Sequence, residues 1–483
     1  MCVLPLLVLA TIQSSVASDR TWVEVRSPHF TVITDAGETR GREVASHFEN
    51  MREVFGAFMD APNLSLPSPL QIVAFRNTKE MRRFVPLWRG KPVDMMGYFH
   101  QSGDCGVILL DLSVKNYAQT AFHEYAHQLL NVNSSVPTQP WFDEGFAEFF
   151  STMRWKGIQA RVGGIHERDF KTVRRKGMMT TAELLQVRQD SADYNRNGDR
   201  RNIFYGQSWL TVHYLFDTHS LGRAFQYFSL LSRGMVDTDD AFQQAFGMST
   251  AQFDELLKQY ARQKTLDTSL VTTPTTADPS SYQVRVLSET DADAELADVH
   301  LHSPDYSDQA VREFDAILKR DPEQPVALRG LGYAYLQDRD FARAAEFLRR
   351  AENRDPQDAR AHYYNALLIK EESASDGRPT AENIETMQRE VEKVIVAEPD
   401  YAAAYGLLAL TYEWQGNQEK SLEAMKRAAK LNPRNGGYRA DLVRMGYGDG
   451  TASLILKQLD ARVPSSTQAR FGQSKGGPSA PAK

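Results

Sequence analysis

His123-Glu124-Tyr125-Ala126-His127, followed by Trp141-Phe142-Asp143-Glu144-Gly145-Phe146-Ala147-Glu148, is the stretch that decides how this chain reads. Two histidines at i and i+4 lie on one side of a helix, about one turn apart. Both rings can therefore reach one metal ion, with Glu124 near the same edge. Apolar residues at 122, 126, 129 and 130 give the surrounding segment the spacing of an amphipathic helix. Pro140 marks the start of a second helix, on which Glu144 and Glu148 face the same side. Its carboxylates could complete a three-ligand zinc site with one position left for water. With 11 histidines in 483 residues, a chance pentapeptide of this kind is expected about 0.01–0.02 times, so a single occurrence is informative.

The paired motifs, HEYAH and WFDEGFAEFF, resemble the gluzincin metallopeptidases, in particular the aminopeptidase-N-like, peptidase MA-like group with its Trp-x-x-Glu-Gly-x-Ala segment. The resemblance implies that His123, His127 and Glu144 bind one zinc ion and that Glu124 is the general base. It also implies that Glu148 orients a ligand histidine. The group stabilises its oxyanion with a later tyrosine, and Tyr205, in Tyr205-Gly206-Gln207-Ser208, takes that place, with Ser208 standing where the aminopeptidases have glycine. Sixteen residues separate His127 from Glu144, a shorter connection than in the aminopeptidases. The Gly-x-Met-x-Asn segment that holds a free amino terminus is missing, so exopeptidase action has no support. The stretch from Gly97-Tyr98-Phe99-His100 to Val107-Ile108-Leu109-Leu110 is expected to supply the edge strand that pairs with extended substrate.

The resemblance covers residues 20–265 and implies an α+β zincin-like metallopeptidase domain. Strands are expected at Trp22-Val23-Glu24-Val25, at 30–34 and at 70–75, and a helix over 38–59. Further helices are expected near 141–154, 204–217, 222–231 and 250–264. The polar run 177–203 reads as a loop. Residues 266–290 read as a linker, because Thr272-Thr273-Pro274-Thr275-Thr276 is turn-forming punctuation.

Beyond the linker the chain repeats. Pro322 and Pro356 stand 34 residues apart, as do Pro399 and Pro433. Leu328, Leu331, Gly332, Tyr335, Ala344 and Ala351 precede one proline. Tyr405, Leu408, Ala409, Tyr412, Ser421 and Ala428 precede another at the same offsets. Ala310, Phe314 and Pro322 read as the end of an earlier unit. One step is 43 residues, which places a nine-residue insertion around 372–379 in a unit carrying His362 and Asn365 at non-standard positions. The pattern resembles tetratricopeptide repeats and implies an all-α solenoid over 291–450, with a concave face for a protein partner.

A net charge of −6 and a pI near 6.0 exclude a broad basic field and with it nucleic acid as a partner. Residues 3–12 are an apolar run followed by Ser15-Val16-Ala17, a signal-peptide pattern over 1–17, although no Lys or Arg precedes it. The implied setting is secreted or periplasmic. The run is too short to span a bilayer, so no stable membrane span is expected. Cys105 is the single cysteine outside that segment, and it reads as a small buried strand residue rather than a nucleophile or metal ligand. Residues 451–483 read as a flexible tail. The whole is expected to be a zinc-dependent peptidase acting on a peptide or protein substrate. The alternatives are a non-catalytic repeat protein with a structural zinc site, and a zinc hydrolase acting on a non-peptide amide or ester.

Overall fold

The computed structural model describes residues 21–446, apart from 59–63, 65, 135, 196, 197, 233, 235, 236, 264, 274–276 and 378. The expected signal peptide (1–17) and tail (451–483) lie outside the described residues, as do 274–276 of the expected linker.

In chain order the elements begin with β1 (Val23–Arg26), β2 (Thr31–Thr34), α1 (Glu38–Phe58), β3 (Leu70–Phe75), α2 (Thr78–Met81), β4 (Leu87–Trp88), β5 (Lys91–Pro92), β6 (Gly97–Gln101) and β7 (Gly106–Asp111). A mainly helical stretch follows, made of α3 (Tyr117–Asn133), α4 (Pro140–Ser151), β8 (Arg154–Lys156), β9 (Gln159–Val162), α5 (Glu167–Lys176), α6 (Thr181–Gln186), α7 (Ala192–Asn195), α8 (Asp199–Asp217), α9 (Leu221–Ser232), α10 (Thr238–Phe246) and α11 (Thr250–Ala261). Strands β10 (Ser269–Thr272) and β11 (Gln283–Val286) return to the sheets. The rest is helical: α12 (Glu289–Leu301), α13 (Ser307–Arg320), α14 (Pro325–Gln337), α15 (Phe341–Arg354), α16 (Ala359–Asp376), α17 (Ala381–Ala397), α18 (Ala402–Trp414), α19 (Gln418–Leu431) and α20 (Gly436–Arg444).

The main sheet runs β11-β1-β2-β3-β7-β6. Its centre is parallel (β2, β3, β7), and both flanks are antiparallel. All six residues of β7 are buried, as a strand covered on both faces requires. Ile72, Ala74, Ile108 and Leu110 face the core shared with α1 and α3. Val73, Phe75, Val107 and Leu109 face the other way, toward Met81, Phe84 and Val299 of α12. The sheet is thus roofed on one side by a helix of the repeat region. Strand β6 closes the order as an edge, antiparallel to β7, with Gly97 opposite Leu110 and Phe99 opposite Ile108.

Helix α3 buries Ala121, Phe122, Tyr125, Ala126, Leu129 and Leu130 and leaves Thr120, His123, Glu124 and His127 on its other face. Helix α4 carries Phe142, Phe146, Phe149 and Phe150 into the same core, where Phe149 stacks on Phe216 of α8 with centroids 4.4 Å apart. Each such ring removes enough apolar surface from water to contribute roughly 1.5–3 kcal/mol.

Two expectations need correction. Residues 177–203 are not a plain loop: α6 and α7 form within them, and α8 begins at Asp199. Residues 266–290 are not a free linker: β10 pairs with β9, and β11 pairs with β1 in the register Val23–Val286. The Thr- and Pro-rich composition suits short edge strands between turns, and their partners lie far away in sequence, where local patterning cannot point.

Helices α12 to α19 form four antiparallel pairs with α20 beyond them. Their prolines and aspartates fall at the turns, and Ala344, Ala351 and Ala428 are fully buried between paired helices. The longer repeat puts most of its additional residues into helix rather than loop. Helix α16 has 18 residues against 13 in α14, and α17 has 17 against 14 in α15. Among the described residues no helix is long and apolar enough to cross a membrane.

Candidate metal centre

Three side chains from two helices converge where α3 meets α4. His123 Nε2 and His127 Nε2 are 3.1 Å apart, and Glu144 Oε2 lies 3.2 Å from the first and 3.8 Å from the second. Ligands held 2.0–2.1 Å from a tetrahedral zinc stand about 3.3 Å from one another, and these three separations bracket that value. Glu144 is 3% exposed, and its Oε2 is a buried oxygen with no hydrogen-bond donor among the described residues. A carboxylate oxygen left so beside two imidazoles, in a donor set of two nitrogens and one oxygen, fits a zinc ion.

The backbone makes this approach possible. A Cβ added to Gly145 would lie 2.3 Å from the Ser208 carbonyl oxygen of α8, so only glycine lets α4 and α8 touch and sets Glu144 at its depth. Gly97 does the same between β6 and α3, where a Cβ would meet Thr120 Cγ2 at 2.3 Å and Glu124 Cγ at 3.3 Å. Close packing of β6 also brings the Phe99 N–H to the Glu124 carboxylate as a donor.

Electrostatics differ residue by residue. Burial pushes the Glu124 carboxyl up to about 7, and the neighbouring acids Glu144 and Glu148 add to the rise against the pull of His123. Burial takes His127 down to about 4. At His123 burial acts in the same sense, but the Glu144 carboxylate beside it, with Glu148 and Glu124, outweighs it and holds the ring well above its ordinary value. Glu148 sits 3.5 Å from His123 Nδ1, on the ring edge away from the convergence point. Tyr205 is farther out. Its ring centroid is 6.2 Å from that of Tyr194, and Arg201 lies over it at 4.8 Å. Burial, with the negative Glu144 nearby, raises its phenol, which remains a proton donor at neutral pH.

One residue at this site escapes the sequence reading. Tyr194 of α7 donates its hydroxyl to Glu144 Oε1 at 2.6 Å, fixing the carboxylate so that Oε2 points at the two imidazoles. It lies in the run read as loop. Its one local signal is an aromatic residue alone among Asp, Asn and Arg.

Residues 117–233, which contain all of these side chains, match a family described as a protein of unknown function (DUF1570). Residues 295–359 and 402–435 match tetratricopeptide-repeat families, so the C-terminal region is built of tetratricopeptide repeats. Among solved structures, MamA 41-end from Desulfovibrio magneticus RS-1 is 22% identical over 36% of this chain and 94% of its own, with a TM-score of 0.29. A thermophilic TPR protein in Thermus thermophilus is 19% identical over 37% of this chain and 94% of its own, also at 0.29. No curated protein sequence matches the chain.

Proposed function

We propose that the N-terminal region is a zinc-dependent hydrolase of gluzincin type that cleaves peptide bonds. The observation that carries the reading is the convergence of His123 Nε2, His127 Nε2 and the undonated Glu144 Oε2 within 4.8 Å of one another. Zinc held there supplies Lewis acidity, polarising a carbonyl and acidifying water. The remaining work belongs to the chain. Glu124 accepts a proton from the attacking water at its carboxylate and delivers it to the leaving amine. Tyr194 and Glu148 hold Glu144 and His123 in place. Tyr205 is positioned to donate its phenolic proton toward negative charge that develops on the substrate oxygen. Strand β6 offers its free edge to an extended peptide beside Glu124. We place this activity in a secreted or periplasmic setting, following the signal pattern in residues 1–17.

Metal analysis and a peptide-library digest test the reading together. Purified protein should carry one zinc per chain. Glu124→Gln should keep the zinc and lose cleavage by about 10²–10⁴-fold. Full cleavage by Glu124→Gln refutes the mechanism. Chelation should leave an enzyme folded and inactive, whereas a large fall in melting temperature favours a purely structural zinc site.

A further inference from the structure

The turn between β6 and β7, Ser102-Gly103-Asp104-Cys105, leaves the sheet and meets the end of α12 at His302, the start of α16 at Arg360 and Tyr364, and Tyr401 just before α18. Asp104 is 2% exposed there. Its Oδ2 accepts from His302 Nε2 at 3.1 Å, from Arg360 at 3.4 Å and from the Tyr364 hydroxyl, while its backbone oxygen accepts from the Tyr401 hydroxyl at 2.8 Å. His302 Nδ1 faces the Asp298 carbonyl at 2.8 Å, and its Nε2 lies 3.1 Å from both Asp104 Oδ2 and the Arg360 guanidinium. Arg360 also bonds the Asp298 carboxylate at 2.5 and 3.2 Å, and Arg329 bonds Asp358 at 2.6 Å. Two buried carboxylates, Asp104 and Asp298, and the half-buried Asp358 are thereby matched by Arg329, Arg360 and His302. Desolvation would raise the Asp104 carboxyl, but its bond to His302 and the charges of His302 and Arg360 hold it far below the usual range.

Asp104, Cys105 and His302 could be read as a second metal site, since their ligand atoms lie within 4.8 Å. Arg360 excludes that reading: its guanidinium is 3.1 Å from His302 Nε2 and 3.4 Å from Asp104 Oδ2, and already supplies the cation. Farther along the repeats, Arg434 donates to Asn131 of α3 and, at 2.6 Å, to Thr138 in the connection between α3 and α4.

We propose that His302, Arg360, Tyr364 and Tyr401 of the repeat region form a clamp whose ligand is the chain's own Asp104. By gripping the β6–β7 turn, the clamp fixes the edge strand along which substrate lies. His302, Arg360 and Tyr364 are then positioning residues acting through β6. The consequence for substrate rests on the hydrolase reading, whereas the clamp itself does not.

Hydrogen–deuterium exchange on the full-length protein separates the two. Asp104→Asn keeps the shape of the side chain and removes its charge, and Tyr401→Phe removes a single bond should the first variant fold poorly. Amides of residues 97–101 should exchange about ten- to a hundredfold faster in Asp104→Asn, and by a smaller factor in Tyr401→Phe, with α3 and α4 unchanged. KM for an extended peptide should rise severalfold while kcat and zinc content stay at wild-type values. Unchanged exchange at 97–101 in both variants overturns the clamp. Faster exchange with unchanged KM overturns the positioning role. If wild type cleaves no peptide, the hydrolase reading falls, and the exchange result alone decides the clamp.

Discussion

Gly97→Ala is the most direct test of how β6 is set against the metal-centre helix. The added Cβ would lie 2.3 Å from Thr120 Cγ2 and 3.3 Å from Glu124 Cγ. Ordinary carbon contacts fall near 3.5–4.0 Å, so strand and helix must part by more than about 1 Å or the threonine must turn away. Overpacking of this kind costs about 1–3 kcal/mol. For a cooperative unit of some 250 residues each kcal/mol moves Tm by about 2–4 °C, so the variant should melt roughly 2–12 °C below wild type. Thr120→Ala deletes the obstructing methyl. The double variant Gly97→Ala/Thr120→Ala should recover most of the loss, leaving only the milder contact with Glu124. The assay is thermal unfolding of all four proteins of the cycle by circular dichroism, with coupling of at least about 0.5 kcal/mol expected between the two sites. Additive losses, or a Gly97→Ala protein that melts with wild type, would refute the claim that close approach demands this glycine.

Tyr194→Phe removes the hydroxyl that donates to Glu144 Oε1 while keeping the ring. Zinc affinity should fall about 10–100-fold, measured by competition with a chromophoric chelator. Tyr205→Phe should lower kcat by about 10²–10³ with KM little changed, provided its phenol meets the oxyanion, and equal kcat values assign Tyr205 to packing. Glu295, whose carboxylate accepts from Gln71 Nε2 at 2.7 Å, is pushed up to about 7 by burial, with Asp298 and Glu24 adding to the rise against Arg329. Its folded value lies above the unfolded one near 4.3, so its contribution is full below about pH 4.3 and is lost as pH climbs through about 7. Glu295→Gln should therefore stabilise the protein relative to wild type by about 3–4 kcal/mol at pH 8 and by about 1 kcal/mol at pH 5. Parallel stability curves for the two proteins contradict the assignment.

What the sequence showed plainly was whatever repeats over a short distance. The i, i+4 histidines, the apolar stripe through Phe122, Ala126 and Leu129, and the 34-residue proline interval each lie within a turn or a helix pair. The structure places His123, His127 and Glu144 together, and the strand beginning at Gly97 is an edge. Long-range pairing left no such trace. Nothing near Gln283-Val284-Arg285-Val286 names β1 as its partner, and a Thr- and Pro-rich run reads as a tether until that partner is seen. Tyr194 was hidden because α7 is a single polar turn with no apolar period. Asp104 was hidden for the opposite reason: Ser-Gly-Asp in a hairpin reads as a solvated tip, and its burial is tolerable because His302, just past α12, and Arg360 of α16 meet its carboxylate.

The pairing of β1 with β11 also bears on how this chain acquires its structure. Val23 and Val286 are partners about 260 residues apart, and everything that builds the metal centre lies between them. At about 5–20 residues per second, a ribosome needs roughly 13–50 s after β1 emerges before β11 exists to cover it. Throughout that interval β1 has one unpaired edge, with Val23 and Val25 in a row that other strands can join. High contact order makes the final closure slow. Truncation before residue 283 would make the exposure permanent.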